Sequence, residues 1–461
     1  MIKEIETTWS SKTLFFLLCA MLVLTTLAYG TVHQPTIAIF YLVAVIVVAL
    51  WAIDAFSSGV LRFSKSFLQI PLLGAFLYGI FQIIPFGSLA ETAGVAGIPR
   101  TISLDPFWTQ VAALHFLAIF IFLAAFLTYI DSAKRLQKMV SLITVFGFVF
   151  AFFAILQVFL SPHKIYGIYE VAYAVPFGSF VNRHDFAAYM EMTIAVPLGL
   201  MFVGAVQKDK RLLYITAIGL MGIALLLSGS RGGLISLLAE IFFLVILTTK
   251  TRNSGQFALK ISLAVLLIAT IIVGAILIGG ETSLTRLAET ANSEDFSANR
   301  LHIWDVTLSI IKNNLPFGAG FGAFGVAYTP YDALNGSGRV EQAHNDYLQV
   351  LADAGIVGLV IGGFFVYQLF RTGWQNIQTS NSFHRGIAVG AFAGCFAVLV
   401  HSLFDFVLHI TAVAMLFIVL ISMIVVSKNK FPDDAEDLSQ SNKRKRRPAT
   451  VTPIEKGRKS L

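Results

Sequence analysis

The sequence predicts an all-α, polytopic membrane protein of about 12 transmembrane helices, with one large loop on the outer side. Three observations carry that expectation. Of 461 residues, 56% are hydrophobic and only 13% charged, with a mean hydropathy of +0.77, whereas a soluble chain has about a quarter of its residues charged. Apolar runs of about 20 residues, enough to cross a hydrocarbon core about 30 Å thick, recur along most of the chain. Successive loops alternate in their content of Lys and Arg, as a membrane topology requires.

The runs fall near 13–29, 36–53, 67–84, 107–130, 139–160, 186–206, 212–228, 233–249, 261–279, 347–370, 386–408 and 411–427. The first lacks a small-x-small cleavage site and a second follows at once, so it reads as a retained helix rather than a signal peptide. The loops 54–66, 131–138, 207–211, 250–260 and 371–385 hold 2, 3, 3, 3 and 2 Lys or Arg. The short connections 30–35, 229–232 and 409–410 hold only Arg231. The positive-inside rule therefore makes the first set cytoplasmic, together with both termini. Three long segments fall on the opposite side: 85–106, 161–185 and 280–346. The last combines a glycine-rich stretch, Gly318 to Gly325, with a short helix expected over Asn299 to Lys312. No internal repeat of the transporter kind is visible.

Cys19 and Cys395 lie in separate apolar runs and mark neither a disulfide framework nor a metal site. The pI near 9.3 does not indicate nucleic acid, because ten of the 33 Lys and Arg fall after Ser427. That tail is rich in Asp, Ser, Asn and Pro, which predicts a disordered, basic, cytoplasmic segment with some attraction to anionic membrane lipid. The chain thus divides into N-terminal helices (1–170), a second membrane region (171–427) containing the loop 280–346, and the tail (428–461).

Cations on the side where basic residues are sparse need a local reason. Ser228-Gly229-Ser230-Arg231-Gly232-Gly233 breaks two apolar helices, with Ser230 and Arg231 offering donors and the glycines allowing close backbone approach. A guanidinium at that depth faces a polar cavity or an anion, or else snorkels and caps a hairpin. Arg300 opens an amphipathic stretch that Ser297 or Asn299 caps; its bland alternative is a solvated loop charge. Arg183 stands at a third outer helix start. Helix N-termini favour anions, and forked guanidinium donors suit a diphosphate. His344 sits on the same side, and its imidazole accepts a proton near neutral pH without special tuning. Asn345 and Asp346 are candidates to cap the next helix. His401 and Asp405 are intramembrane ionisable residues and so functional candidates, although an i, i+4 pair between them is the simpler reading.

Several of these segments resemble the O-antigen ligase and polymerase-like (Wzy-C type) family. They are SGSRGGLISLL, NRLHIWDVTLSIIKNNLPFGAGFGAFG and QAHNDYLQVLADAGIVGLV, with SFVNRHDFAAYMEM before and HSLFDFVLH after. The similarity spans roughly residues 175 to 425. It implies a GT-C-like, metal-independent, inverting glycosyltransferase of the bacterial inner membrane, working without cofactors. The donor is then a polyprenyl-diphosphate-linked glycan and the acceptor a hydroxyl of lipid A–core or of another glycan, at the periplasmic face. The resemblance makes Arg231 and Arg300 diphosphate ligands, with Arg183 a looser match, and makes His344 the residue that assists the acceptor hydroxyl. The outer segments contain no DxD or HExxH motif, as expected if arginine neutralises the leaving group. A polymerase of the same type is the nearest rival. A carrier or flippase for an anionic lipid would instead spread polar residues through the bilayer midplane.

Overall fold

Short polar residues mark where helices begin. Asp105, Ser132, Asn182, Ser230, Asn345 and Asn381 each occupy an N-cap and accept from backbone N–H groups in the turn that follows. The computed structural model describes residues 8–249 and 295–431, except 93–94, 173, 332–339 and 430, together with scattered helical positions between 261 and 277. The helices are α1 (Trp9–Leu27), α2 (Gln34–Ser58), α3 (Ile70–Gln82), α4 (Pro106–Tyr129), α5 (Ala133–Leu160), α6 (Arg183–Val203), α7 (Arg211–Leu227) and α8 (Arg231–Thr248). Then come α9 (Asp295–Asn314), the short α10 (Phe324–Tyr328), α11 (Asp346–Asn376), α12 (Ser382–His401) and α13 (Thr411–Val426). Two small antiparallel hairpins, β1 (Ala90–Thr92) with β2 (Val95–Ile98) and β3 (Lys164–Ile165) with β4 (Tyr169–Glu170), decorate the loops.

Among the described residues, nine helices are long and apolar enough to cross a membrane, and Phe67–Gln82 and Thr411–Val426 are shorter apolar helices. Most of the expected span 261–279, the loop 250–260 and nearly all of the tail 428–461 lie outside the described residues. One expected span is corrected. The expectation covers 386–408, but α12 ends at His401. There the His401 carbonyl accepts from the backbone N–H groups of Phe404 (2.8 Å) and Asp405 (3.1 Å), and residues 402–404 form a turn. The amphipathic helix in the long loop also starts earlier than expected, at Asp295, so Ser297 and Asn299 lie within it rather than capping it.

α6 and α12 form the centre of the bundle. In α6, 83% of the most apolar window is buried, against 17% in α2 at the periphery. Small residues make this possible. A Cβ on Gly199 would lie 2.3 Å from the Gly390 backbone nitrogen, and one on Gly390 would lie 2.4 Å from the Ala195 carbonyl oxygen. The two backbones therefore touch, the close approach that substitutes for a hydrophobic driving force between helices in lipid.

At one end of the bundle, the starts of α1 and α5 and the ends of α2 and α4 share a polar network. Arg62 bridges Asp54 (2.6 Å) and Asp131 (3.1 Å), Arg135 reaches Asp131 (3.0 Å) and Ser11 Oγ (2.9 Å), and Tyr129 donates to Asp54 (2.8 Å). The starts of α6, α8, α11 and α13 lie at the opposite end. The glycine-rich segment also docks in this half. Gly355 adopts φ +58° within α11, and the carbonyls of Ala352 and Asp353 accept from the backbone of Ala319 (2.8 Å) and Gly320 (2.9 Å). Buried Gln82 locks this junction, accepting from Phe321 N (3.1 Å) and donating to Phe317 O (3.1 Å) and Asp353 O (2.9 Å).

Candidate active site

Two helix starts stand side by side at this end. Asn182 caps α6 by accepting from His184 N at 3.0 Å, and Ser230 caps α8 by accepting from Gly233 N at 3.2 Å. His184 Nδ1 lies 2.9 Å from Ser230 Oγ, which ties the two caps together. Arg183 and Arg231 are the first residues of these helices. Unsatisfied N–H groups and the macrodipole make such ends attractive to anions.

His344 is held on a strained backbone immediately before α11. Its φ is +49°, a left-handed conformation uncommon for any residue with a side chain, though enriched for His. Its neighbours are fixed on both sides. Ala343 N donates to Gln349 Oε1 (2.7 Å) and Trp304 Nε1 donates to Ala343 O (3.0 Å). Asn345 is the true cap, accepting from Tyr347 N (2.9 Å) and Leu348 N (3.0 Å), and its amide donates to Leu403 O (3.1 Å).

The side chain of His344 meets Asp405, with Nδ1 3.0 Å from Oδ1. Arg300 reaches the same segment, with Nη1 2.5 Å from the Phe404 carbonyl oxygen and Nη2 3.4 Å from Asp405 Oδ2. Burial alone would push the Asp405 carboxyl up. The hydrogen bond from His344 and the charges of His184, His344 and Arg300 outweigh it, and hold the group well below the usual carboxylate range. An ionised carboxylate only accepts, so His344 Nδ1 carries the proton it donates, and a neutral imidazole so held has its lone pair on Nε2. The imidazole is about one-third exposed, and the Phe406 ring lies edge-on to it with centroids 4.9 Å apart.

Asp346 does not cap α11. Its carboxylate accepts from Ser402 Oγ (2.7 Å) and Leu408 N (3.4 Å) and pairs with His409 Nδ1 (3.0 Å), while its own N–H donates to Ser402 O (2.9 Å). It pins the 402–410 segment to the start of α11, which aligns Asp405 with His344. The simple i, i+4 pair between His401 and Asp405 does not form. The helix ends at His401, whose Nδ1 lies 3.1 Å from Glu191 Oε2 in α6, with both groups fully buried, while Asp405 takes His344 and Arg300. Among the described residues, no three His, Cys, Asp or Glu side chains converge as a metal site would require.

Residues 216–362 match the family model described as O-antigen ligase. This part of the chain is O-antigen ligase-like. The matched stretch contains Ser230, Arg231, Arg300, His344, Asn345 and Asp346, whereas Arg183, His401 and Asp405 lie outside it. No curated protein matches the chain. The structure joins Arg300 and His344, both in the O-antigen ligase-like stretch, through Asp405 beyond it, and Arg231 shares its helix turn with Ser230. Sequence reasoning missed His184 and Glu191. The signal for Glu191 was available, since an ionisable residue inside an apolar span is itself a flag.

Proposed function

We propose that this protein is a glycosyltransferase of the inner membrane that moves a glycan from a polyprenyl diphosphate to a hydroxyl at the periplasmic face. The observation that carries the reading is the Asp405 carboxylate, which accepts from His344 on one oxygen and takes Arg300 near the other. It orients a general base beside a diphosphate-binding cation. His344 Nε2 takes the proton of the acceptor hydroxyl as its oxygen attacks the anomeric carbon. The bond from that carbon to the diphosphate oxygen breaks on the opposite face, which inverts the configuration. Arg231 and Arg300, with Arg183 beside them, neutralise the charge that develops on the leaving polyprenyl diphosphate. Both termini then lie in the cytoplasm, and a GT-C-like scaffold holds the donor's lipid in the bilayer. The acceptor is lipid A–core in the ligase reading and another lipid-linked glycan in the polymerase reading.

The test is reconstitution. Purified protein in liposomes, given a polyprenyl-diphosphate-linked oligosaccharide and a hydroxyl-bearing glycolipid, should yield glycosylated acceptor and an equal amount of polyprenyl diphosphate. Translocation of the donor without transfer would overturn the reading in favour of a carrier.

A further inference from the structure

One buried pair lies directly beneath both halves of the site and has no part in the chemistry above. Glu191 projects from α6 and His401 ends α12; both are fully buried, and His401 Nδ1 lies 3.3 and 3.1 Å from the two Glu191 carboxyl oxygens. An ionisable pair inside a membrane protein is costly, so its retention calls for a structural or functional return.

The imidazole of His401 touches the donor side. A Cβ built on Gly232, the residue after Arg231, would lie 2.9 Å from both His401 Cδ2 and Nε2, and 3.4 Å from Phe404 Cβ. Only glycine lets the first turn of α8 settle on the edge of that ring. The backbone of His401 serves the acceptor side. Its carbonyl takes the N–H groups of Phe404 and Asp405, the residue whose carbonyl binds Arg300 and the residue whose carboxylate binds His344. One residue thus contacts the turn carrying Arg231 through its ring and the turn carrying Asp405 through its carbonyl.

We propose that Glu191 and His401 are a positioning pair that fixes the distance between Arg231 and the His344–Asp405 couple, and so between bound donor and base. Glu191 anchors the ring in one rotamer against α6, and Gly232 reads the ring's position. The inference rests on the functional reading given for Arg231 and His344. It predicts that small changes at residues remote from substrate act on both donor affinity and turnover. A misplacement of about 1 Å between reacting groups can cost on the order of 100-fold in rate.

The test is a double-mutant cycle on the reconstituted full-length protein, read as kcat, KM for donor and thermal midpoint. Gly232→Ala should lower kcat/KM by about tenfold to 100-fold, because its methyl displaces the ring. In a His401→Ala background the ring is gone, and Gly232→Ala should add little further loss. Glu191→Gln retains an acceptor for the ring and should stay within a few-fold of wild type. Glu191→Leu should raise the donor KM and lower kcat together in protein that is present at normal levels. Should Gly232→Ala fail to accumulate, the Gln and Leu pair decides. Additive losses in the cycle, or a Glu191→Leu variant with wild-type kcat and KM, would overturn the positioning pair. A wild-type protein that transfers no glycan would overturn the functional reading and this inference with it, so the two failures are distinct.

Discussion

His344 Nδ1 and Asp405 Oδ1 lie 3.0 Å apart although they are 61 positions apart in the chain. Two devices create the contact. Asn345 and Asp346 bind the 402–410 turn to the start of α11, and the turn itself begins because α12 stops at His401. The pair favours the neutral imidazole tautomer protonated at Nδ1, with the lone pair on Nε2.

Asp405→Asn tests that selection. The amide is nearly isosteric but can donate to Nδ1, which favours the tautomer with Nε2 protonated. Turnover should fall by between about tenfold and the roughly 10²–10⁴-fold that a positioned base contributes, while donor binding changes little. A variant with unchanged kcat would show that the tautomer is immaterial.

Arg231→Lys and Arg300→Lys separate charge from geometry. Lysine keeps the cation but not the planar fork, so each variant should show a raised donor KM and reduced transfer. Measuring KM at several salt concentrations would check this. Full activity in both would mean that neither forms a bidentate contact with diphosphate.

Much of this arrangement was legible in the sequence, for identifiable reasons. Helix starts could be read because Ser230 and Asn345 announce themselves chemically, and a common end for the arginines followed from the basic loops opposite. The partner of Asp405 could not be read. The end of α12 has no Gly or Pro to mark it, so from the sequence His401 to Asp405 reads as one intramembrane turn. What ends the helix is tertiary, since Asp346 and Asn345 claim the Ser402 and Leu403 groups. The role of Ala319 and Gly320 was hidden similarly, because the carbonyls they serve become available only where Gly355 interrupts α11.

The α6–α12 crossing should be intolerant of bulk. Gly390→Val would drive methyl groups into the Ala195 and Val196 backbone, and overpacking of this kind costs about 1–3 kcal/mol or more. Thermal unfolding in detergent should show a clearly lowered midpoint for Gly390→Val and none for the same change at Gly362, where a Cβ meets nothing within 4 Å. Equal midpoints would contradict the packing.

His409 provides a pH signature. Burial disfavours its charged form, but the hydrogen bond to Asp346 and the charges of Asp346 and Asp353 win and raise its pKa above the ordinary histidine value. A raised histidine contributes stability fully below about pH 6.5, and that contribution is lost as pH rises through the folded value. The gap in thermal midpoint between wild type and His409→Gln should therefore narrow as pH rises above about 6.5. Asp405 behaves oppositely. Its depressed pKa means its contribution persists until strongly acid conditions. A His409→Gln gap that stays constant from mildly acid to alkaline pH would rule out the Asp346 pair as the source.

The central claim, that His344 is the base for glycan transfer, is tested most directly by single-turnover transfer with purified His344→Gln. Glutamine keeps a hydrogen-bonding side chain without a basic nitrogen. With donor prebound and acceptor in excess, the rate should fall by about 10²–10⁴-fold, with donor affinity unchanged. A variant that transfers glycan at the wild-type rate would show that His344 positions the acceptor and is not the base.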